Sequence, residues 1–282
     1  MERSSAAADP GGGRRRRGNL AVRLASAALL GPAVLAVLWL GGPLFVVVVL
    51  VAALICVHEW IGLLAPAGRG LALELSFGFM MAATVVAVLV GPLPAVLVVG
   101  GLTIVLYAVM RATHETRRLM LALGNPYIAA TVIALVWLRD QPEVGRAMTL
   151  WLVLVVWATD SAAYAAGRAI GGPRLAPRIS PNKTWAGLAG AVAGAAASGA
   201  LAGWVFGAAR PEIAAGVAGV VALAAQGGDL LESAVKRRSG QKDSGSLIPG
   251  HGGMLDRIDG IIGAAPLFAL YHAGLGRAVG WW

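Results

Sequence analysis

The chain has 282 residues, 58% of them hydrophobic and 13% charged, with a mean hydropathy of +0.75 and a formal charge of +9. A typical soluble domain is about 45–50% apolar and about 25% charged, so these side chains cannot clothe a globule of this size in polar groups, and a large soluble catalytic domain is excluded. The single cysteine, Cys56, excludes an internal disulfide and a multi-cysteine metal centre.

Residues 1–18, MERSSAAADPGGGRRRRG, are small, polar and basic without periodicity and read as a disordered basic tail. The apolar run behind them has no clear signal-peptide cleavage site and leads straight into another span, so it is expected to stay as a first helix. Apolar runs interrupted by Gly and Pro give nine spans, at roughly 20–40, 44–65, 71–90, 95–110, 119–138, 148–167, 184–207, 213–228 and 258–276. The expected fold is all-α, a polytopic integral membrane protein with about nine transmembrane helices. Residues 19–140 would form the N-terminal helices and 141–282 a C-terminal catalytic region. Asn125-Pro126 is expected to kink or split the fifth span. Dense Ala and Gly from 186 to 228 predict close helix packing there. Trp39, Trp60, Trp137, Trp151, Trp281 and Trp282 fall near span ends and are expected to serve as interfacial anchors.

With nine spans and the tail inside, only Arg139, Arg146, Arg210 and Arg277 of the 23 Lys and Arg fall outside. Inner loops are the Lys- and Arg-rich ones, so topology accounts for the net charge with no nucleic-acid partner. The same topology puts the polar loops at 111–118, 168–183 and 229–257 together on the cytoplasmic side.

The last of these loops carries Asp229, Glu232, Asp243, Asp256 and Asp259, five of the 14 acidic residues, beside Lys236, Arg237, Arg238, Lys242 and Arg257. Charge at a membrane boundary is costly unless it is used. Asp229 and Glu232 are spaced i, i+3, as are Asp256 and Asp259, so each pair shares a helix face. Two carboxylate pairs from two helix ends suit a hard cation such as Mg²⁺, which takes one or two carboxylates plus waters and substrate phosphates, and paired metals suit in-line displacement at phosphorus. Between the pairs, Ser244-Gly245-Ser246 and the Gly-rich run Pro249–Gly253 let backbone N–H groups approach a phosphate, with the start of the next helix adding favourable partial charge. Lys236, Arg237, Lys242 and Arg257 would neutralise a polyphosphate. The competing reading is a solvated connecting loop in which His251 is structural. Asp160, inside the sixth span, is either functional or paired with Arg168 or Lys183. His58-Glu59 reads as a polar helix-end cap.

The stretch SAVKRRSGQKDSGSLIPGHGGMLDRID, Ser233 to Asp259, resembles the signature of phosphatidate cytidylyltransferases, integral membrane enzymes that make CDP-diacylglycerol. DSAAYAAGR (Asp160 to Arg168) and ISPNKTWAG (Ile179 to Gly187) are similar to two further blocks of that family. The likeness covers roughly residues 150–270. Two positions depart from it: Ala186 stands where a Glu is usual, and Ala162 where a Gly is usual. The resemblance implies that Asp229, Asp256 and Asp259 hold divalent metals, Mg²⁺ among them. It implies that Lys183, Lys236, Arg237, Lys242 and Arg257 contact the phosphates of CTP or of phosphatidic acid, with Asp243 and His251 shaping the loop. The catalytic set it suggests is Asp229, Lys236, Asp256 and Asp259. It further implies a homodimer of nine-helix subunits among membrane lipids, in a bacterial cytoplasmic membrane. A transporter remains a rival from another class, although its binding groups would sit near the bilayer midplane; a nearer rival is a CTP-dependent enzyme acting on another lipid phosphate or a lipid alcohol.

Overall fold

The computed structural model describes residues 26, 28–65, 69–247 and 252–282. The tail at 1–18 and His251 lie outside the described residues. The chain forms α1 (Ala28–Leu40), α2 (Gly42–Leu64), α3 (Arg69–Leu89), α4 (Pro92–Ala112), α5 (Arg118–Arg139), α6 (Gly145–Ala169), β1 (Arg174–Ala176), β2 (Ser180–Thr184), α7 (Trp185–Val205), α8 (Pro211–Arg238) and α9 (Leu255–Tyr271). A π-helical turn, His272–Gly276, and the short α10 (Arg277–Val279) continue α9. Among the described residues, eight helices are long and apolar enough to cross a bilayer, and α1 is a shorter apolar helix. The first expected span begins outside the described residues, so the all-α polytopic expectation meets eight full-length helices and part of a ninth.

Sharp reversals between successive helices follow from local chemistry. Gly41 and Gly91 take φ of +66° and +116° just before α2 and α4, conformations open to glycine at no steric cost. Pro92 and Pro211 stand first in α4 and α8, where a missing N–H loses no helical bond. Of the two outcomes expected at Pro126, a kink or a split, the split does not occur: α5 runs as one helix from Arg118 to Arg139 with Pro126 inside it. Beside it, the Asn125 amide donates to Ser76 Oγ (2.9 Å) on α3 and to the Leu121 carbonyl (3.4 Å), tying the two helices together at this level.

The C-terminal helices pack on small residues. Gly190 and Gly194 make room for the methyls of Ala166 and Ala162, and Gly199 and Gly203 for those of Ala218 and Ala214. Ala162 therefore fits in place of the family's glycine because Gly194 faces it. Where α8 crosses α9, Gly228 and Gly263 bring the backbones together without intervening side chains. One buried cluster joins α2–α5 to Leu255 and Ile262 of α9, and a second surrounds Trp151, Phe268 and Trp281. Cys56 is fully enclosed in the first. The tryptophan expectation fails for three of its members: Trp151 and Trp281 are 0% exposed and Trp60 5%, whereas Trp39 is 56% exposed. Nearness to a span end does not determine which face of a helix carries the ring; Trp151, Phe268 and Trp281 stack on one another instead of meeting lipid.

Each helix returns the chain to the opposite end of the bundle, so two polar ends form. At one, Arg117 donates to the Leu63 carbonyl, Ser239 Oγ and the Arg238 carbonyl, and Arg237 to the Ile179 carbonyl. At the other, Arg139 donates to the carbonyls of Leu38 and Trp39, and Arg277 to Gln141. The antiparallel β1–β2 hairpin, pairing Arg174 with Thr184 and Ala176 with Ser180, lies at the first end. It is the one departure from helix among the described elements. Thr184 ends the hairpin and caps α7, its hydroxyl accepting from Gly187 N at 3.0 Å, so the helix start is capped even though Ala186 replaces a carboxylate.

Candidate active site at the basic end of the bundle

At 28 residues, α8 is about 42 Å long at 1.5 Å per residue, against a hydrocarbon core of about 30 Å. Its last turns therefore run past the apolar layer and carry Asp229, Glu232 and Lys236 along the face that meets α9. The antiparallel start of α9 supplies Asp256 and Asp259. Lys236 Nζ lies 2.5 Å from Asp256 Oδ1 and 3.1 Å from Glu232 Oε1. The other Asp256 oxygen, Oδ2, accepts from Ser244 N (2.9 Å), Ser244 Oγ (3.0 Å) and Gly253 N (2.9 Å). The two acidic pairs thus meet at one end of one helix pair, with Lys236 linking them.

A second contact network comes from the hairpin. β2 presents Lys183 to α8, where Nζ pairs with Asp229 Oδ2 at 2.6 Å and donates to Gln226 Oε1 at 2.9 Å. The Gln226 amide in turn donates to Asp160 Oδ1 at 3.2 Å. Asp160 is therefore joined to Lys183 through Gln226, while Arg168 takes no part among these contacts. Ser233 Oγ donates to Asp229 Oδ1 at 3.2 Å. Glu232 and Asp259 face each other across the α8–α9 crossing, and the buried Glu232 carboxyl has the Lys236 ammonium, 3.1 Å from Oε1, as its cationic partner.

The largest surprise is Glu59. It caps no end of its own helix: it is 6% exposed and reaches across to the segment before α9. Its carboxylate accepts from Met254 N (2.9 Å), Leu255 N (2.8 Å) and Ser244 Oγ (2.8 Å). The N–H groups at the start of α9, expected to receive a phosphate, are thereby taken by Glu59, with Gly253 N taken by Asp256. Internal carboxylates occupy the anion site that a helix N-terminus offers.

The cations that remain for an anionic ligand are the exposed ones. Lys242 and Arg257 make no side-chain hydrogen bond or ion pair among the described residues, and Arg237 bonds only to the carbonyls of Ile179 and Gln241. Asp243 is also exposed, with its Cβ close to Gly252. The expected residues thus divide into Lys183 with Asp229, Lys236 with Asp256, and Asp259 facing Glu232, all engaged within the protein, and the exposed Arg237, Lys242, Asp243 and Arg257. Gln226 and Glu59 were not legible as partners, because each stands in an apolar run far from the loop it serves.

A divalent cation suits this donor set in part. Asp160, Asp229, Glu232, Asp256 and Asp259 outnumber Lys183 and Lys236, the two lysines paired within this group, so carboxylates exceed cations here and a divalent cation would offset the difference. Oxygen donors of this kind fit Mg²⁺, which keeps water and substrate oxygens in most of its coordination sphere. No three acidic, His or Cys side chains among the described residues already converge as a ligand set. Asp229, held by Lys183 and Ser233, and Asp259, which accepts from Gly260 N, carry fewer donors than Asp256, which is held by Lys236, Ser244 and Gly253 and would join a metal only by exchanging a donor.

Comparison with known proteins finds relatives over nearly the whole chain. Residues 21–275 match the Cytidylyltransferase family. A protein of Brucella suis named phosphatidate cytidylyltransferase is 38% identical over 263 residues, covering 90% of this chain and 94% of its own. Proteins of the same name from Pseudomonas aeruginosa (43% identical, 50% of this chain and 54% of theirs) and Mycobacterium leprae (35%, 54% and 53%) match about half the length. The match thus reaches back through α2–α5, beyond the region where signature residues are visible, and the chain belongs to the cytidylyltransferase family of membrane enzymes.

Proposed function

We infer that this chain transfers the cytidylyl group of CTP to phosphatidic acid, releasing pyrophosphate and leaving CDP-diacylglycerol for phospholipid synthesis. The observation that carries the reading is a set of exposed cations, Arg237, Lys242 and Arg257, which make no ion pair among the described residues and lie on the same segment as the carboxylates and Lys236 at the membrane boundary. One substrate is a soluble polyanion and the other an anionic lipid, and a basic rim at that level attracts both.

In the transfer, a phosphate oxygen of phosphatidic acid forms a bond to the α-phosphorus of CTP while the bond to the bridging oxygen breaks and pyrophosphate leaves. The attacking phosphate is already ionised near neutral pH, so the site has to position and neutralise rather than abstract a proton. Lys183 and Lys236, each fixed by carboxylates, hold their charge at set points. Arg237, Lys242 and Arg257 are free to close on the phosphates, and Asp243 shapes the rim. Asp229 and Asp259, with Asp256 on exchange of a donor, would hold Mg²⁺. When bound, that ion offsets charge on the triphosphate oxygens. The Lys and Arg asymmetry orients this end toward the cytoplasm of a bacterial inner membrane, and the working unit is a homodimer.

Purified protein given labelled CTP, phosphatidic acid and Mg²⁺ is expected to yield one labelled lipid, CDP-diacylglycerol, in equal amount to released pyrophosphate. Label moving instead to a lipid alcohol or another lipid phosphate, or solute flux without CTP consumption, would replace this reading.

A further inference from the structure

The residues that carry the signature lie after residue 150, yet Glu59 on α2 holds the loop that ends it. A buried carboxylate is costly unless each oxygen is matched by donors, and Glu59 is matched entirely by that loop through Ser244, Met254 and Leu255. The loop is shaped to admit it: a Cβ on Gly245 or Gly253 would run into the Glu59 carboxylate. Ser244 Oγ lies 2.8 Å from Glu59 and 3.0 Å from Asp256. A hydroxyl has one proton to give, so the two carboxylates compete for it. Glu59 thereby sets how firmly Asp256 is held on the side opposite Lys236.

We propose that Glu59 is a positioning residue for cytidylyl transfer: it fixes Ser244 and the start of α9 at Met254 and Leu255, and so holds Asp256 in register with Lys236. The proposal rests on the functional reading above. It makes α2 part of the active unit. A residue that only capped α9 would contribute to stability, whereas a positioning residue changes turnover in a folded enzyme and does so through Ser244.

The test uses the full-length chain in detergent with CTP, Mg²⁺ and phosphatidic acid, comparing Glu59→Gln, Ser244→Ala, the double variant and His58→Gln, an exposed neighbour. Glu59→Gln is expected to lower kcat about 10- to 100-fold while KM for CTP stays within about threefold. The double variant should be no slower than the slower single one, because both act on one chain of bonds. His58→Gln should match the parent. Wild-type turnover in Glu59→Gln, or losses that multiply independently in the double variant, would overturn the proposal. If Glu59→Gln fails to accumulate, Glu59→Asp, which keeps the charge but shortens the reach, decides: reduced kcat with an unchanged melting midpoint supports positioning, and parental kcat refutes it. A parent chain that makes no CDP-diacylglycerol removes the functional reading and this proposal with it, whereas an active parent beside unaffected Glu59 variants removes the proposal alone.

Discussion

Asp256 is held from both sides, by Lys236 on one oxygen and by Ser244 and Gly253 on the other. Asp256→Asn removes the charge that balances Lys236 and places an amide against N–H donors. Losing one partner of a buried pair costs about 3–5 kcal/mol when nothing else compensates, but Glu232 still faces Lys236 here. The variant is therefore expected to insert and purify while CTP- and Mg²⁺-dependent turnover is lost; near-normal turnover would remove Asp256 from the chemistry. Gln226 offers a finer test. Gln226→Leu deletes one of the two acceptors that fix Lys183, and a hydrogen bond to a charged group is worth about 1.5–3 kcal/mol. The expected result is a rise of at least about tenfold in KM for CTP, read from initial rates. The residues of the 229–259 segment announced themselves by density of charge and i, i+3 spacing. Gln226 and Glu59 did not: periodicity reports neighbours on one helix, and their partners lie on other elements.

The crossing of α8 over α9 depends on two residues with no side chain. A Cβ on Gly228 would meet the Asp259 carbonyl and Gly263, and one on Gly263 would meet the Ala224 carbonyl and Gly228. Because the obstacle is backbone, no rotamer change relieves it, and overpacking of this kind costs about 1–3 kcal/mol or more. Gly228→Ala should lower the melting midpoint in detergent and the turnover together. Gly216→Ala, on the same helix with open space around it, should change neither. Helix existence and order were readable from the apolar runs, because a bilayer accepts few alternatives to a helix. Boundaries were less so: α8 extends to Arg238 and α9 begins at Leu255, since helical bonds continue into polar sequence once tertiary contacts support them. The β1–β2 hairpin was invisible for the opposite reason. Its strands are three and five residues long, too short for an alternating pattern to show, and the second carries Lys183.

Across the whole molecule, contacts among Arg117, Arg237, Ser239 and Ile179 mark one end, and those among Arg139, Leu38, Gln141 and Arg277 the other. The count of Lys and Arg by loop anticipated this separation because alternate helices must deliver alternate loops to the same side. The tryptophans were misread at this scale, since their burial depends on which helices meet, as in the Trp151–Phe268–Trp281 stack. The sealed position of Cys56, 0% exposed in the core, has a practical corollary for orientation. The native chain is expected to give no signal with impermeant maleimides, so reporter thiols can be introduced without first removing Cys56. Lys242→Cys should be modified only after cells are permeabilised, and Glu143→Cys in intact cells; the reverse pattern would turn the protein upside down in its membrane.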